Sequence, residues 1–147
     1  MANARLSTLD NDFYNRLIRE SDGTLREMAL AACRYAVEKS NLRYPAILAA
    51  LKAMADKKPM SPAELSELGK LVAALDASHI TTDNRDRDKT GKTDTLSARS
   101  ALFHARAANA VFMAYNPDPL FAAMEAIFEA YLATGDWPAL KAILTAK

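Results

Sequence analysis

Apolar side chains recur every three or four residues along most of this chain, which is the spacing of one face of an α-helix. The clearest stripe consists of Leu65, Leu68, Leu71, Val72 and Leu75. Successive stripes are separated by short polar or proline-containing segments that carry helix-capping residues. The pattern therefore predicts an all-α fold, a single-domain bundle of six or seven helices.

Capping chemistry marks where several of these helices begin. Ser61, Pro62 and Glu64 combine a serine N-cap, a proline at the first helical position and a glutamate at the third. Thr24 and Glu27 have the spacing of a second capping box, in which each side chain bonds to the free amide beside the other. The predicted helices begin near residues 8, 24, 45, 62, 96, 119 and 137.

A polar run, SHITTDNRDRDKTGKTDT, interrupts the apolar pattern at 78–95. Mixed charges with Asp, Thr and Asn are typical of a hydrated connector, so the run predicts a long charged loop at 79–95 between two helical halves, 1–78 and 96–147, of one domain. Its alternating signs could complement a partner's charges. The candidate partner-binding residues of this run are Asp83, Arg85, Asp86, Arg87 and Asp88.

The same run partly resembles two known ligand-binding loops. Its match to a twelve-residue calcium loop starts at Asp86, but Ser97 stands at the last position, where a bidentate glutamate is needed. The sequence Gly91-Lys92-Thr93 resembles the end of a phosphate-binding loop, but no buried strand precedes it. We therefore predict neither a calcium site nor a nucleotide site.

Two arginine–tyrosine pairs, Arg34-Tyr35 and Arg43-Tyr44, form a second candidate partner-binding site. Arginine and tyrosine are enriched among the residues that dominate the binding energy of protein interfaces. The alternative is that each tyrosine packs on the core while its arginine lies at the rim. The sequence leaves both interpretations open.

Composition and charge exclude several classes of partner. Half of the 147 residues are hydrophobic, which is enough for one core. Nineteen basic and eighteen acidic residues give a net charge of +1, so no overall field attracts nucleic acid or an anionic membrane. No signal-peptide pattern or transmembrane segment is present, and Cys33 is the only cysteine. We expect a cytoplasmic protein in which Cys33 is a small buried side chain.

No catalytic, cofactor or metal site is predicted. The two histidines are His79 and His104, and although His79 could approach a metal together with Asp83, no third ligand is evident. Cys33 and the serines lack a recognisable neighbouring base that would make them nucleophiles. The sequence therefore gives no support to an enzyme.

Three alanine-rich stretches, Leu25 to Ala32, Pro45 to Ala53 and Ser97 to Ala108, follow one another in helical order. In the order of its helices and their alanine-rich composition, the stretch 24–132 resembles the alanine-rich all-helical immunity proteins of bacterial polymorphic-toxin systems. It departs from them in its charged run and in having fewer alanines and tryptophans, and it matches no motif from which site residues could be carried over. The resemblance implies a cytoplasmic inhibitor that binds and blocks a cognate toxin.

Three classes of function follow as hypotheses. The first is a non-catalytic protein-binding helical domain, with a toxin as the possible partner. The second is a small helical enzyme or ligand carrier with a pocket between the predicted helices at 96–115 and 119–134. The third is a homo-oligomeric structural protein, such as a homodimer formed through the very apolar second half. A cavity between those two helices would favour the second hypothesis, and an exposed apolar face on the helix that begins at 119 would favour the third.

Overall fold

The computed structural model describes residues 4–90 and 96–146, with the backbone alone described at 4, 82, 83, 86–90 and 96–98. These residues form helices joined by short turns and no strand, so the all-α prediction is confirmed. The helices of this part of the chain are α1 (Ala4–Leu9), α2 (Asn11–Leu17), α3 (Asp22–Ser40), α4 (Pro45–Ala55), α5 (Pro62–Thr90), α6 (Leu96–Met113), α7 (Pro119–Thr134) and α8 (Trp137–Thr145).

The amino-terminal helices differ from the sequence prediction because Asp10 and Ser21 act as N-caps. Asp10 interrupts the predicted helix at 8–20, since its side chain accepts a bond from the Phe13 amide and so begins α2. Ser21 accepts a bond from the Thr24 amide at 3.2 Å, so α3 begins at Asp22. The capping box predicted at Thr24 and Glu27 is therefore wrong, because Ser21 already occupies the N-cap position.

The later helices begin where the sequence predicts, at 45, 62, 96, 119 and 137. The Ser61 amide donates to Glu64 Oε1 at 3.0 Å, and the Glu64 amide donates to Ser61 Oγ at 3.1 Å, which completes the capping box of α5. Asp118 and Asp136 cap α7 and α8. Gly135 ends α7 with a φ of 69°, in the left-handed region that glycine adopts without steric cost.

The polar run predicted as a loop is helical over its described part, because α5 continues to Thr90. The prediction of a connector at 79–95 is therefore wrong for 79–90, and 91–95 lie outside the described residues. No glycine or proline occurs between Pro62 and Gly91 except Gly69, and opposite charges three or four residues apart favour a helix. The helical backbone at 86–90 also differs from the calcium loop that the sequence partly resembles.

The core lies where α3, α6 and α7 meet, and α5 packs along α6. The helix beginning at 119 belongs to the core, because more than half of the residues of α7 are buried, and its large apolar side chains are buried or half-buried. Many of the buried side chains on these helices are alanines, which allow neighbouring helices to approach closely. In the part of the chain that is described, none of the helices has the length and apolar character needed to cross a membrane.

Candidate binding surfaces

The last part of α5 carries the most exposed large hydrophobic side chain described. Leu75, with 9% of its surface exposed, is the last buried residue of α5 among those described. Beyond it, the described side chains at 76–81, 84 and 85 are exposed, apart from the half-buried His79. Ile80 is 58% exposed. We call residues 76–90 the outer segment of α5, a stretch of helix none of whose described side chains is buried.

The register between α5 and α6 shows how far this segment extends. A Cβ atom at Gly69 would lie only 3.3 Å from Phe112 Cε1, so α5 and α6 approach closely at this level. If the two helices run side by side in opposite directions with the same rise per residue, Arg85 lies at about the level of Leu96, where α6 begins. The last turn of α5 therefore extends past the start of α6.

The five candidate residues of the polar run lie on this outer segment. Arg85 is exposed. The side chains of Asp83, Asp86, Arg87 and Asp88 lie outside the described residues, although their backbone is helical. A helix distributes these residues around its axis instead of gathering them in a loop. Their role in partner binding remains a prediction.

Arg34 and Tyr35 lie in the middle of α3, on the side that faces α8. Arg34 is exposed, whereas Tyr35 is half-buried against the core, with Lys39 Nζ 5.8 Å from its ring centroid. Burial, together with the negative charge of Asp136, raises the pKa of Tyr35. This arrangement is the alternative considered from the sequence, a tyrosine on the core with an arginine beside it.

Arg43 and Tyr44 lie in the connection between α3 and α4. The two arginine–tyrosine pairs therefore belong to different elements of the fold. Arg43 donates to the carbonyl oxygen of its neighbour Leu42 at 3.0 Å. Tyr44 precedes α4 and is 43% exposed, and Leu48, one turn later, is exposed to the same extent. Tyr44 and Leu48 thus form a small apolar patch on the outside of α4, and Tyr44 differs from Tyr35 in being largely uncovered.

A buried charged cluster joins α1, α6 and α7. Glu125 and Glu129, on successive turns of α7, are 7% and 3% exposed. Arg5 is paired with both carboxylates, and Arg106 lies 3.4 Å from Glu129. The Arg5 guanidinium also lies 4.3 Å from the centroid of the Phe128 ring. Burial alone would lower the pKa of Arg5, but the hydrogen bonds and charges of the two glutamates outweigh it and raise this pKa.

The role of this cluster is structural. Buried carboxylates are tolerated only when they are paired and hydrogen-bonded, and both glutamates meet that condition. The described side chains include no buried polar atom without a partner. The sequence pattern did not predict this cluster, because the apolar residues of this helix dominate it. The available signal was two glutamates four residues apart in a helix that is otherwise almost entirely apolar.

Cys33 and His104 are both held within the folded chain. Cys33 is fully buried, as the sequence predicted, and burial raises the pKa of its thiol. His104 Nε2 lies 2.7 Å from the carbonyl oxygen of Ser40, which places the ring at the end of α3. His79 is half-buried on α5. Among the described residues, no three His, Cys, Asp or Glu side chains are grouped so that they could hold a metal ion.

Among the cavities between the described helices are two that have no lining residue from α7. The larger, of about 680 Å³, lies among α3, the end of α4, the start of α5 and the end of α6. The smaller, of about 360 Å³, lies among α2, α3 and α8. Both therefore differ in position from the pocket predicted between the helices at 96–115 and 119–134. Glu27 borders both cavities.

Comparisons with known proteins give no relative for this chain. No family model, curated protein or solved structure matches it. The resemblance to immunity proteins rests only on the order of the helices and on their alanine-rich composition. Its implication for function is carried forward as a proposal.

Proposed function

We propose that this protein is a non-catalytic helical binding domain that contacts a protein partner through the outer segment of α5. The observation that carries this proposal is the exposure of Ile80 on a helix that continues beyond its last described buried residue, Leu75. An apolar side chain within a polar surface is the arrangement of a protein interface, which has an apolar centre and a polar rim. The neighbouring Ala77, Thr81 and Asn84 are exposed too and are small enough to let a partner approach the helix.

A helical rather than a flexible outer segment favours tight binding. Ordering a backbone residue costs roughly 1–2 kcal/mol, and a segment that is already helical meets this cost before binding. Short helices are marginal in water without tertiary support, and here α5 is anchored through Leu68, Val72 and Leu75. The partner would therefore meet a surface that is already formed.

The favoured special case is an immunity-type inhibitor in the cytoplasm of a bacterium, with a toxin as the partner. The resemblance of residues 24–132 to helical immunity proteins supports it. Physically, acidic and basic residues alternate along 83–89, so this segment could complement either sign of charge around a toxin's active site. Inhibition would require no chemistry by this chain, because a bound helix blocks access to the toxin's site.

Partner capture tests the proposal. The tagged protein is used to purify partners from its native host, and each partner is identified and titrated against the pure protein. The matched variants are Ile80→Arg and Ile18→Arg, because Ile18 is also exposed, at 43%, but lies at the C-cap of α2. We expect Ile80→Arg to weaken binding at least tenfold and Ile18→Arg to leave the affinity unchanged. Equal affinities of the two variants would contradict the proposed surface.

The toxin case has its own test. The identified partner should arrest bacterial growth when it is expressed alone, and co-expression of this protein should restore growth. Ile80→Arg should fail to restore growth, whereas Ile18→Arg should succeed. A partner that is harmless on its own would refute the toxin case while leaving the binding surface intact.

A homodimer through the second half is the competing hypothesis. It needs an exposed apolar face on the helix beginning at 119, whereas the large apolar side chains of α7 are buried or half-buried and none is exposed. We expect light scattering at micromolar concentration to give the mass of one chain. A dimeric mass that Ile80→Arg reduces to that of a monomer would instead make a second copy of this chain the partner.

A further inference from the structure

The larger cavity has an apolar interior. It lies at the corner where α4 ends and α5 begins, against the start of α3 and the end of α6. Its apolar wall is formed by Leu30, Met54, Met60, Leu65 and Ala114. Tyr115 also borders it, but the Tyr115 hydroxyl donates to the carbonyl oxygen of Ala50. The interior therefore offers surface for a hydrocarbon chain and no hydroxyl that seeks a partner.

The charged residues that border this cavity are mostly basic. They are Arg26, Lys57 and Lys58, with Glu27 as the single acidic residue. Arg26 is already engaged, because it donates to the carbonyl oxygens of Ala114 and Pro117 at 3.0 Å each. Neither Lys57 nor Lys58 has an ion pair with another described residue, and both are exposed.

Helix dipoles do not change this balance of charge. The cavity is bordered by the starts of α3 and α5, which are positive ends, and by the ends of α4 and α6, which are negative ends. The two positive helix ends are therefore opposed by the two negative ones. The side chains of Lys57 and Lys58 therefore determine which head group the rim would favour, and that group is anionic.

We infer that this cavity binds a single-chain amphiphile with an anionic carboxylate head, a free monocarboxylate of the fatty-acid class. The chain would lie against Leu30, Met54 and Met60, and the carboxylate would lie at the rim beside Lys57 and Lys58. A volume of about 680 Å³ is in the range of small-molecule sites. This site is separate from the proposed protein surface, because Leu65 and Arg85 are about 30 Å apart along α5.

Methionine methyl groups report binding at this cavity directly. Met54 and Met60 line it, whereas Met28 lines the smaller cavity. The protein is labelled with ¹³C at its methionine methyl groups, and decanoate is added while the methyl resonances are recorded. We expect saturable shifts of the Met54 and Met60 resonances, assigned with Met→Leu variants, and an unchanged Met124 resonance. Absence of shifts, or shifts confined to Met28, would overturn the inference.

Charge variants test the position of the head group. Lys57→Gln with Lys58→Gln should weaken decanoate binding about fivefold and leave 1-decanol binding unchanged, because exposed ion pairs contribute modestly. Lys52→Gln is the matched control, since Lys52 is an exposed lysine of α4 that does not border the cavity. Glu27→Gln should strengthen decanoate binding, because it removes the one rim carboxylate. Decylammonium binding as tightly as decanoate would overturn the assignment of the head group.

A blocking variant tests the cavity itself without disturbing the core. A Cβ atom at Gly23 meets no atom within 4 Å, so Gly23→Leu places its side chain in open space at the cavity wall. We expect this variant to keep the circular dichroism and melting temperature of a folded protein and to lose at least tenfold in decanoate affinity. Full affinity in the folded variant would contradict this location. Partner binding through Ile80 should be unchanged, so the two proposals can fail separately.

Discussion

Asp10 is the residue that connects the amino-terminal helices to the last helix. One of its carboxylate oxygens caps α2 by accepting from the Phe13 amide at 3.0 Å. The other accepts from Trp137 Nε1 at 3.0 Å and from Lys141 Nζ at 2.8 Å, both in α8. The bond from Lys141, followed by the bond from Phe13, lowers the pKa of Asp10 to about 2. The Asp10 side chain therefore caps α2 and links it to α8.

This lowered pKa predicts a pH dependence of stability. The ionised form of Asp10 is favoured in the folded chain, so its contribution is complete above about pH 4 and is lost as the pH falls to about 2. At pH 7 we expect Asp10→Asn to lower the free energy of unfolding by about 1–2 kcal/mol, allowing for solvent around the pair. Urea denaturation of wild type and variant at pH 7 and pH 2 should show most of this difference lost at the lower pH.

Asp12→Asn is the control for this prediction, because Asp12 lies in the first turn of the same helix but is exposed. We expect it to change stability by less than about 0.5 kcal/mol. An Asp10→Asn difference that is equally large at pH 2 and pH 7 would show that the Asp10 charge is not its cause.

The buried glutamates give a second prediction at the residue scale. Removing Arg5 leaves Glu125 buried without its main partner, so Arg5→Ala and Glu125→Ala should each destabilise the protein. Their effects should not add. A double-mutant cycle by urea denaturation should give a coupling energy on the order of 1–2 kcal/mol, reduced from that of a fully buried pair because the Arg5 side chain is 44% exposed. Additive effects would mean that the pair contributes nothing to stability.

At the scale of helices, the caps show what local sequence can predict. Ser61 and Glu64 complete their box within four residues, so no distant contact is needed to form it. We expect Ser61→Ala to lower Tm by about 2–4 °C, because the Glu64 amide at the start of α5 loses its acceptor. Ser66→Ala, an exposed substitution within the same helix, should leave Tm equal or slightly higher. Scanning calorimetry of both variants provides the comparison.

The helices also show where prediction from sequence failed, and for what reason. The polar run was taken for a loop because its residues are charged, but charge disfavours burial and does not exclude a helix. The start of α3 was misplaced because Ser21 and Thr24 are both good caps, and the sequence alone does not rank them. The pairing of Glu125 with Arg5 joins residues 120 apart along the chain, so no local pattern could predict it.

At the scale of the whole molecule, the edge of the packed core crosses α5 between Leu75 and Ile80. The same kind of substitution should therefore have different effects on either side of that edge. Leu75→Ala removes a buried side chain and should cost about 2–3 kcal/mol, whereas Ile80→Ala should change the unfolding free energy by less than about 0.5 kcal/mol. Urea denaturation at pH 7 measures both. Equal losses would mean that Ile80 is covered in the free protein, which would also contradict the proposed partner surface.

The molecule as a whole places its two proposed sites near opposite parts of one helix. The cavity borders Leu65 in the first turn of α5, and the exposed surface lies around Ile80. The candidate residues found from sequence, Arg85 and its neighbours, lie near the second site. The cavity was not predicted at its position, because it is formed by parts of α3, α4, α5 and α6 that come together only in the folded chain.

Cys33 has a practical consequence for measuring motion in this protein. It is the only cysteine of the sequence, and it is fully covered in the middle of α3. A thiol reagent can reach it only when the surrounding helices separate, and the buried thiol is also held in its unreactive protonated form. The rate at which a chromogenic disulfide reagent modifies the native protein therefore measures how often the centre of the bundle opens, and no added label is needed.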